Sequence, residues 1–339
     1  KCWGLNSGGQ LGLGDTTDRG DTVSNMGTAL SFVDIGVDNT IISTATSKFH
    51  TCAVFGNNKV KCWGENSCYE LGYGDTTKRG NTAGTMGDTL PINFGTSRYA
   101  TKLTCGMDSA CVILDNGDIK CWGSNRLKGL GHDDLVYHQG YNPDHMGDNL
   151  NVVPISGLDG VGDTTPVSVH SGAGHHCALL RDGAVVCWGS NGVGQLGIGS
   201  TVPEGVSQRS LVDLGTDRTA KQLTCGYDHT CVLLDDDNVK CWGGNIEGQL
   251  GVEDWDPRGV SENQMGDNPP FVSLSSTSKT LAVYGSMHRT CALLDDYTLR
   301  CWGGSSYGSM GIGTNTDNDW AYVGDEAGEM GDALVAVML

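Results

Sequence analysis

The sequence predicts an all-β fold, a β-propeller of repeats about 60 residues long, six of which are visible. Three observations predict it. A tripeptide returns at a nearly fixed period. A turn-centred pair of apolar, β-branched segments precedes each copy but the first. Helical periodicity of useful length occurs nowhere.

The tripeptide is Cys-Trp-Gly, at Cys2-Trp3-Gly4, Cys62-Trp63-Gly64, Cys121-Trp122-Gly123, Cys187-Trp188-Gly189, Cys241-Trp242-Gly243 and Cys301-Trp302-Gly303. The spacings are 60, 59, 66, 54 and 60 residues, and six of the eight tryptophans sit in it. A Gly-rich turn follows it, as in NSGGQLGLG (6–14), NGVGQLGIG (191–199) and NIEGQLGV (245–252). Met-Gly-Asp comes later, at 86–88, 146–148, 265–267 and 330–332, with Met26-Gly27-Thr28 as a relaxed copy. The fourth repeat lacks this element, in keeping with its short spacing. Trp and Met read as wedges packed between neighbouring blades, not as ligand-binding groups.

The segment before each tripeptide reads as a hairpin. In CVILDNGDIKC (111–121), Gly117 supplies the left-handed residue of a type I turn with a G1 bulge. Counting outward, Leu114 faces Asp118, Ile113 faces Ile119 and Cys111 faces Cys121. Gly183 takes the same place in CALLRDGAVVC (177–187), and in the 52–62 hairpin the centre is Gly56-Asn57-Asn58.

Ten of the fourteen cysteines fall into five pairs of equal separation: Cys52–Cys62, Cys111–Cys121, Cys177–Cys187, Cys231–Cys241 and Cys291–Cys301. Opposed positions on an antiparallel hairpin are within disulfide reach, and closing so short a loop contributes about 2–3 kcal/mol each. Zinc is disfavoured because no CxxC knuckle occurs, so no metal site is expected. Repeated disulfides imply an oxidising compartment and an extracellular or cell-surface protein. Cys68 replaces a turn glycine and Cys105 enters the next hairpin, so a Cys68–Cys105 bond between blades is expected. Cys225 has no matching partner and is expected to be free or intermolecular. Cys2 lacks a partner ten residues upstream. Because ALVAVML (333–339) matches ALSFVDI (29–35), one propeller domain is expected over 1–339, cut at both ends from a ring of six or seven blades.

Lys plus Arg is 21, Asp plus Glu is 40 and the net charge is −19. Such a chain repels nucleic-acid phosphates and anionic membrane surfaces, and no run reaches transmembrane length. Asp makes up 32 of the 40 acids. Asp forms turns more often than it binds calcium, and neither Asp235-Asp236-Asp237 nor Asp317-Asn318-Asp319 fits an EF-hand, which leaves calcium a weak reading and no cofactor expected. His50, His175 and His229 share one repeat position, which marks them as scaffold. No H-E-x-x-H or P-loop occurs, so an enzyme is not expected. Arg19-Gly20-Asp21 copies an integrin-binding tripeptide, yet Arg79-Gly80-Asn81 and Arg258-Gly259-Val260 show that Arg-Gly belongs to the repeat. N-glycosylation sequons are absent.

The run from Gly226 to Gly251, with His229-Thr230, a hairpin, Trp242-Gly243-x-Asn245 and Gly248-Gln249-Leu250-Gly251, resembles the repeat of the regulator of chromosome condensation family. The resemblance covers the whole chain, and it implies a propeller, usually of seven blades, that binds other macromolecules. The Met-Gly-Asp extension and paired cysteines are similar to a secreted branch. The family includes a nuclear exchange factor for the GTPase Ran, a plant ultraviolet-B receptor and a secreted bacterial inhibitor of β-lactamases. The receptor's Gly-Trp-Arg-His-Thr repeats are absent here, where Gly226-Tyr227-Asp228-His229-Thr230 stands instead.

Two functions follow as expectations. One is a non-catalytic extracellular structural or adhesive module that binds other proteins or copies of itself. The other is a secreted ligand-binding disc, a protein inhibitor or a lectin-like glycan binder, using Trp255 and Trp320, the two tryptophans outside the repeat.

Overall fold

The computed structural model describes residues 1–37, 40–87, 91–132, 137–155, 158, 162–203, 210–305, 310 and 322–337. Every sheet among them is antiparallel, and the only helices are short 3-10 turns. The chain divides into two compact units, Lys1–Pro154 and Ile155–Leu339.

The first unit holds two sheets. β1 (Ile41–Thr46), β2 (His50–Phe55) and β3 (Val60–Gly64) form one in that order. The other orders β4 (Ala100–Cys105), β5 (Ser109–Leu114), β6 (Ile119–Ser124) and β7 (His138–Gln139), with β8 (Val152–Val153) also pairing with β6. The second unit holds three sheets. They are β9 (Pro166–Ser171), β10 (His175–Leu180) and β11 (Val185–Gly189); β12 (Ala220–Cys225), β13 (His229–Leu234) and β14 (Val239–Gly243); and β15 (Thr280–Ser286), β16 (Arg289–Leu294), β17 (Leu299–Gly304) and β18 (Tyr322–Val323).

Each hairpin has the register that its turn imposes. Cys111 pairs with Cys121 and Ile113 with Ile119, and the Leu114 amide donates to the Asp118 carbonyl at 2.9 Å. Gly117 and Asn58 both carry the positive φ that the bulge requires, 87° and 64°. The glycine of Cys-Trp-Gly is set by a close approach. A Cβ on Gly64 would stand 2.4 Å from the Phe49 carbonyl oxygen, and φ there is 118°.

Sheets pack face to face through the residues that the repeat supplies. In the first unit Val54, Val60 and the Cys52–Cys62 pair meet Val112, Leu114, Leu71 and Trp122. In the second, Leu179, Val185, Val232, Leu234 and Trp242 form one core and Leu233, Val239, Leu294 and Trp302 another. Trp63, Trp122, Trp188, Trp242 and Trp302 are all buried, whereas Trp3 is 64% exposed.

A buried polar ladder accompanies these cores. The Trp242 indole N–H and the Thr230 hydroxyl both donate to the Gln195 carbonyl, at 3.1 and 2.9 Å. His175 Nε2 then bonds the Thr230 hydroxyl at 3.0 Å. The same set recurs with Trp302, Thr290, the Gln249 carbonyl and His229. The indole and hydroxyl parts recur in the first unit with Trp63, Thr51 and the Gln10 carbonyl. His175 and His229 are thus scaffold, and His50, equally buried, bonds the Ser47 hydroxyl instead. Burial drives His50 and His175 down to about 4 and His229 to about 3, so all three are neutral at ordinary pH.

Candidate interaction surface

The loop that follows each Cys-Trp-Gly is built on a buried asparagine. Asn66 accepts from the Leu71 amide at 3.0 Å and donates to the Asp75 and Thr77 carbonyls at 2.8 and 3.1 Å. Asn6, Asn191 and Asn245 tie their loops in the same way. Asn has the one side chain that donates and accepts in this geometry, so each loop is a fixed platform.

The Arg-Gly pairs close these loops. Arg19 bridges Asp15 at 2.6 Å, Arg79 bridges Asp75 at 2.9 Å, and Arg258 bridges Asp254. Arg19 also donates to the Thr17 carbonyl at 2.5 Å, so the Arg19-Gly20-Asp21 motif is spent on loop structure.

Aromatic side chains stand on the platforms. In the second unit Trp255 is 48% exposed and meets Tyr322 edge-on, with centroids 5.7 Å apart. Trp320 lies outside the described residues. In the first unit Tyr69 meets His138 at 5.4 Å and Tyr141 at 6.1 Å, and Tyr141 meets His145 at 4.0 Å. Sequence reasoning missed this second cluster. Its signal was faint: Tyr69 replaces a small turn residue, and it holds a φ of 63° that side chains seldom adopt.

Beside Tyr69 lies a buried acid, Glu70, in the place of Gln10, Gln195 and Gln249. Its Oε2 accepts from the Cys68 amide at 2.7 Å, and its Oε1 is buried without a hydrogen-bond partner. Burial, reinforced by Asp108 and Glu65, pushes its carboxyl up to about 7. Burial also raises Asp108.

A second polar device also escaped the sequence reading. Lys120, buried in β6, donates to the Phe94 and Gly147 carbonyls at 3.0 and 2.8 Å. Lys61, Lys240 and Arg300 bind the equivalent pairs of carbonyls, the second always on the glycine of Met-Gly-Asp. The Asp of that element anchors the preceding loop, as Asp148 does by accepting from the Thr96 amide and hydroxyl at 2.9 and 2.7 Å. Asp88 lies outside the described residues.

All five hairpin cysteine pairs are bonded, with Cα atoms 4.0 to 4.1 Å apart. The expected Cys68–Cys105 bond is not formed. Both are free thiols, as are Cys2 and Cys225. Cys105 faces inward, its thiol 3.6 Å from the Ala45 carbonyl and packed in the core with Cys52. Cys68 sits half-buried in its turn near Glu70, Asp108 and Arg126. Burial raises the Cys105 thiol strongly and pushes Cys225 up to about 12. The acidic run Asp235-Asp236-Asp237 is neutralised by Arg218, at 3.2 and 2.9 Å from its first two members, and by Lys221 and Lys279 on the third. Asp317-Asn318-Asp319 lies outside the described residues.

Among known proteins, the family model of the regulator of chromosome condensation (RCC1) repeat matches residues 41–70, 100–127, 167–195 and 220–249, and a second RCC1 repeat model matches 182–233. Those segments of the chain match RCC1 repeats. The ultraviolet-B receptor UVR8 of Arabidopsis thaliana is 28% identical over 255 residues, 74% of this chain and 50% of that protein. Protein pim1 of Schizosaccharomyces pombe is 27% identical over 334 residues, 93% of this chain and 57% of that protein. The chain therefore spans about half the length of these relatives. Human HERC4, a probable E3 ubiquitin-protein ligase, is 28% identical over 216 residues, which are only 18% of its length. Among solved structures, human WBSCR16 superposes with a TM-score of 0.71 at 17% identity, covering 99% of this chain and 75% of that one. Yeast RCC1 (Prp20), solved bound to Kap60, gives 0.64 at 21% identity, over 99% and 70%. These matches fix the RCC1 fold, an all-β propeller. No helix among the described residues is long and apolar enough to cross a membrane.

Proposed function

We propose that this RCC1-repeat chain is a non-catalytic protein-interaction module of an oxidising, extracellular or cell-surface compartment. The observation that carries the reading is the disulfide in every complete hairpin, beneath loops that present aromatic side chains. A thiol-reducing cytosol does not maintain such bonds. Rigid loops lower the ordering cost of binding, and exposed tyrosine and tryptophan on them are the residues that anchor protein interfaces. Yeast RCC1 has been solved with a protein partner, Kap60, which supports the interaction role. Quenching living cells in acid and then alkylating the denatured, unreduced protein tests the compartment. Ten protected cysteines agree with it, and fourteen alkylated cysteines refute it.

Structural or adhesive use predicts self-association or capture of protein partners that is lost on Tyr141→Ala. A second reading, a sugar-binding disc, is favoured by Trp255, whose half-exposed ring stands edge-on to Tyr322. Glycan-array binding abolished by Trp255→Ala selects that reading, and an array without binding removes it.

A further inference from the structure

Trp255 and Tyr322 come from two different loops of the second unit and meet at right angles, with ring centroids 5.7 Å apart. Trp255 is half exposed, so the corner between the two ring faces is open to solvent. Carboxylates stand around it. Asp254 and Asp256 flank Trp255 in the chain, and Glu247 and Asp325 lie close enough to Tyr322 to act on its hydroxyl. We propose that this aromatic corner binds a trimethylammonium group, so that the second unit recognises a quaternary-ammonium ligand.

Both rings are departures from the repeat. Trp255 stands where the corresponding loops have Thr16, Thr76 and Thr201. Tyr322 stands where other loops have Asp18, Lys78 and Pro257, just before Arg19, Arg79 and Arg258. Those arginines pair with the glycine of Cys-Trp-Gly, and Val323 takes their place opposite Gly303. The loop that carries Tyr322 has thus exchanged a charged position for an apolar one.

A third departure ties the two loops together. Glu253 occupies the slot of Gly14, Gly74 and Gly199 and keeps their left-handed backbone, with φ 60° against 76°, 79° and 68°. A side chain bears strain there that glycine avoids. Its carboxylate is what the strain sustains. Oε1 accepts from the Gly328 and Met330 amides at 2.9 and 3.1 Å, and the Glu253 amide donates to the Gly324 carbonyl at 3.0 Å. These bonds reach from the Trp255 loop to the segment that follows Tyr322. The corner is therefore held in place before a ligand arrives, which lowers the ordering cost of binding.

The chemistry selects the ligand. Ring faces attract a cation centred within about 6 Å, tryptophan most strongly, and quaternary ammonium groups are the cations such sites recognise. A trimethylammonium group has no N–H to satisfy, so it loses little by lying against rings. Burial, and then the charges of Glu247 and Asp325, raise the Tyr322 hydroxyl, which marks a negative field at the ring. Arg258, the cation of the Trp255 loop, is bound by Asp254 and donates to the Asp256 carbonyl at 2.9 Å. Arg289, half-buried, lies near Glu247. The four carboxylates outnumber these two cations.

The inference rests on the ligand-binding reading only in taking Trp255 as a ligand contact, and it is independent of the proposed compartment. A glycan that binds where choline does not would leave that reading standing and overturn this one.

Calorimetric titration of the full, disulfide-bonded chain with choline tests it. The control is choline's uncharged tert-butyl analogue, in which carbon replaces the nitrogen. Choline should bind, and the analogue should bind about tenfold more weakly or not at all. Trp255→Ala and Tyr322→Ala should each weaken choline about tenfold, and Trp255→Phe, which keeps a ring, by less. Glu253→Gly restores the repeat's own residue and should weaken binding without abolishing it. Tyr141→Ala, in the first unit, should change nothing. Circular dichroism establishes that each variant folds. A glycine–serine peptide carrying one trimethyllysine separates the sources of the group. Tighter binding than choline assigns it to a modified protein partner, and weaker or equal binding to a free small molecule. No heat with millimolar choline, equal affinity for choline and its analogue, or choline affinity unchanged in both Trp255→Ala and Tyr322→Ala would overturn the proposal.

Discussion

Replacing Glu70 by Gln should stabilise the protein at neutral and alkaline pH and remove a pH dependence. Glu70 is fully buried, and the three glutamines at its position show what the site asks for. Each glutamine accepts an amide proton through Oε1, as Gln10 does from Gly8 at 2.8 Å, and donates through Nε2, as Gln10 does to the Lys48 carbonyl at 2.9 Å. An ionised Glu70 makes the first bond and not the second, so the site favours the protonated acid. Its carboxyl is raised from 4.5 to about 7. The folded state therefore holds a proton that the unfolded chain releases, and stability falls as pH rises from about 4.5 to 7. At about 1.4 kcal/mol per pH unit the loss is about 3 kcal/mol, complete above pH 8 or so. The buried histidines act oppositely: their lowered values remove stability as pH falls from 6.5 towards 4. Subtracting wild type from variant cancels them. Urea unfolding of both proteins without reductant, from pH 5 to pH 9, should show the variant's advantage growing to about 3 kcal/mol. Part of the slope belongs to Asp108, which loses a like-charged neighbour in the variant. A pH-independent difference, or one that favours wild type as pH rises, would refute the reasoning.

Lys120→Met should cost about 2–3 kcal/mol by urea unfolding, because it strips the donor from two buried carbonyls. Thr290→Val should cost about 1–3 kcal/mol, since it breaks both the His229 contact and the bond to the Gln249 carbonyl; a neutral result would show that the ladder is dispensable. Denatured but unreduced protein should expose four alkylatable thiols, at Cys2, Cys68, Cys105 and Cys225, and peptide mapping should recover the five hairpin bonds.

The fold was legible because the repeat writes it several times over. The ten-residue cysteine spacing, the Asn-Gly and Asp-Gly turns and the Trp wedges each specify local geometry, and the hairpin register followed from them alone. The Cys68–Cys105 bond failed for a different reason. Whether two side chains from different hairpins meet depends on which face of the strand each occupies. Cys105 faces the disulfide of the preceding hairpin, and Cys68 lies in its loop beside Glu70. Aromatic clusters were hidden likewise, because Tyr69 and Tyr141 are 72 positions apart in sequence and meet only through loops whose path no local pattern records.

Departures from the repeat carry more than the repeat itself. The fourth repeat has Val186 where its neighbours have Lys61, Lys120, Lys240 or Arg300, and it also lacks Met-Gly-Asp. The two losses belong together, since the cation exists to bind the glycine carbonyl of that element. A buried ammonium without those acceptors would carry a desolvation cost that valine avoids. The same logic applies to Ala110. In the second unit a threonine at this position receives the histidine's proton, and that histidine is held for structure. At Ala110 the hydroxyl is gone, and His50, fully buried, has its Nδ1 on the Ser47 hydroxyl instead. Ser47 thus supplies, from within the same hairpin, the kind of hydroxyl contact that Thr230 and Thr290 supply from the next one.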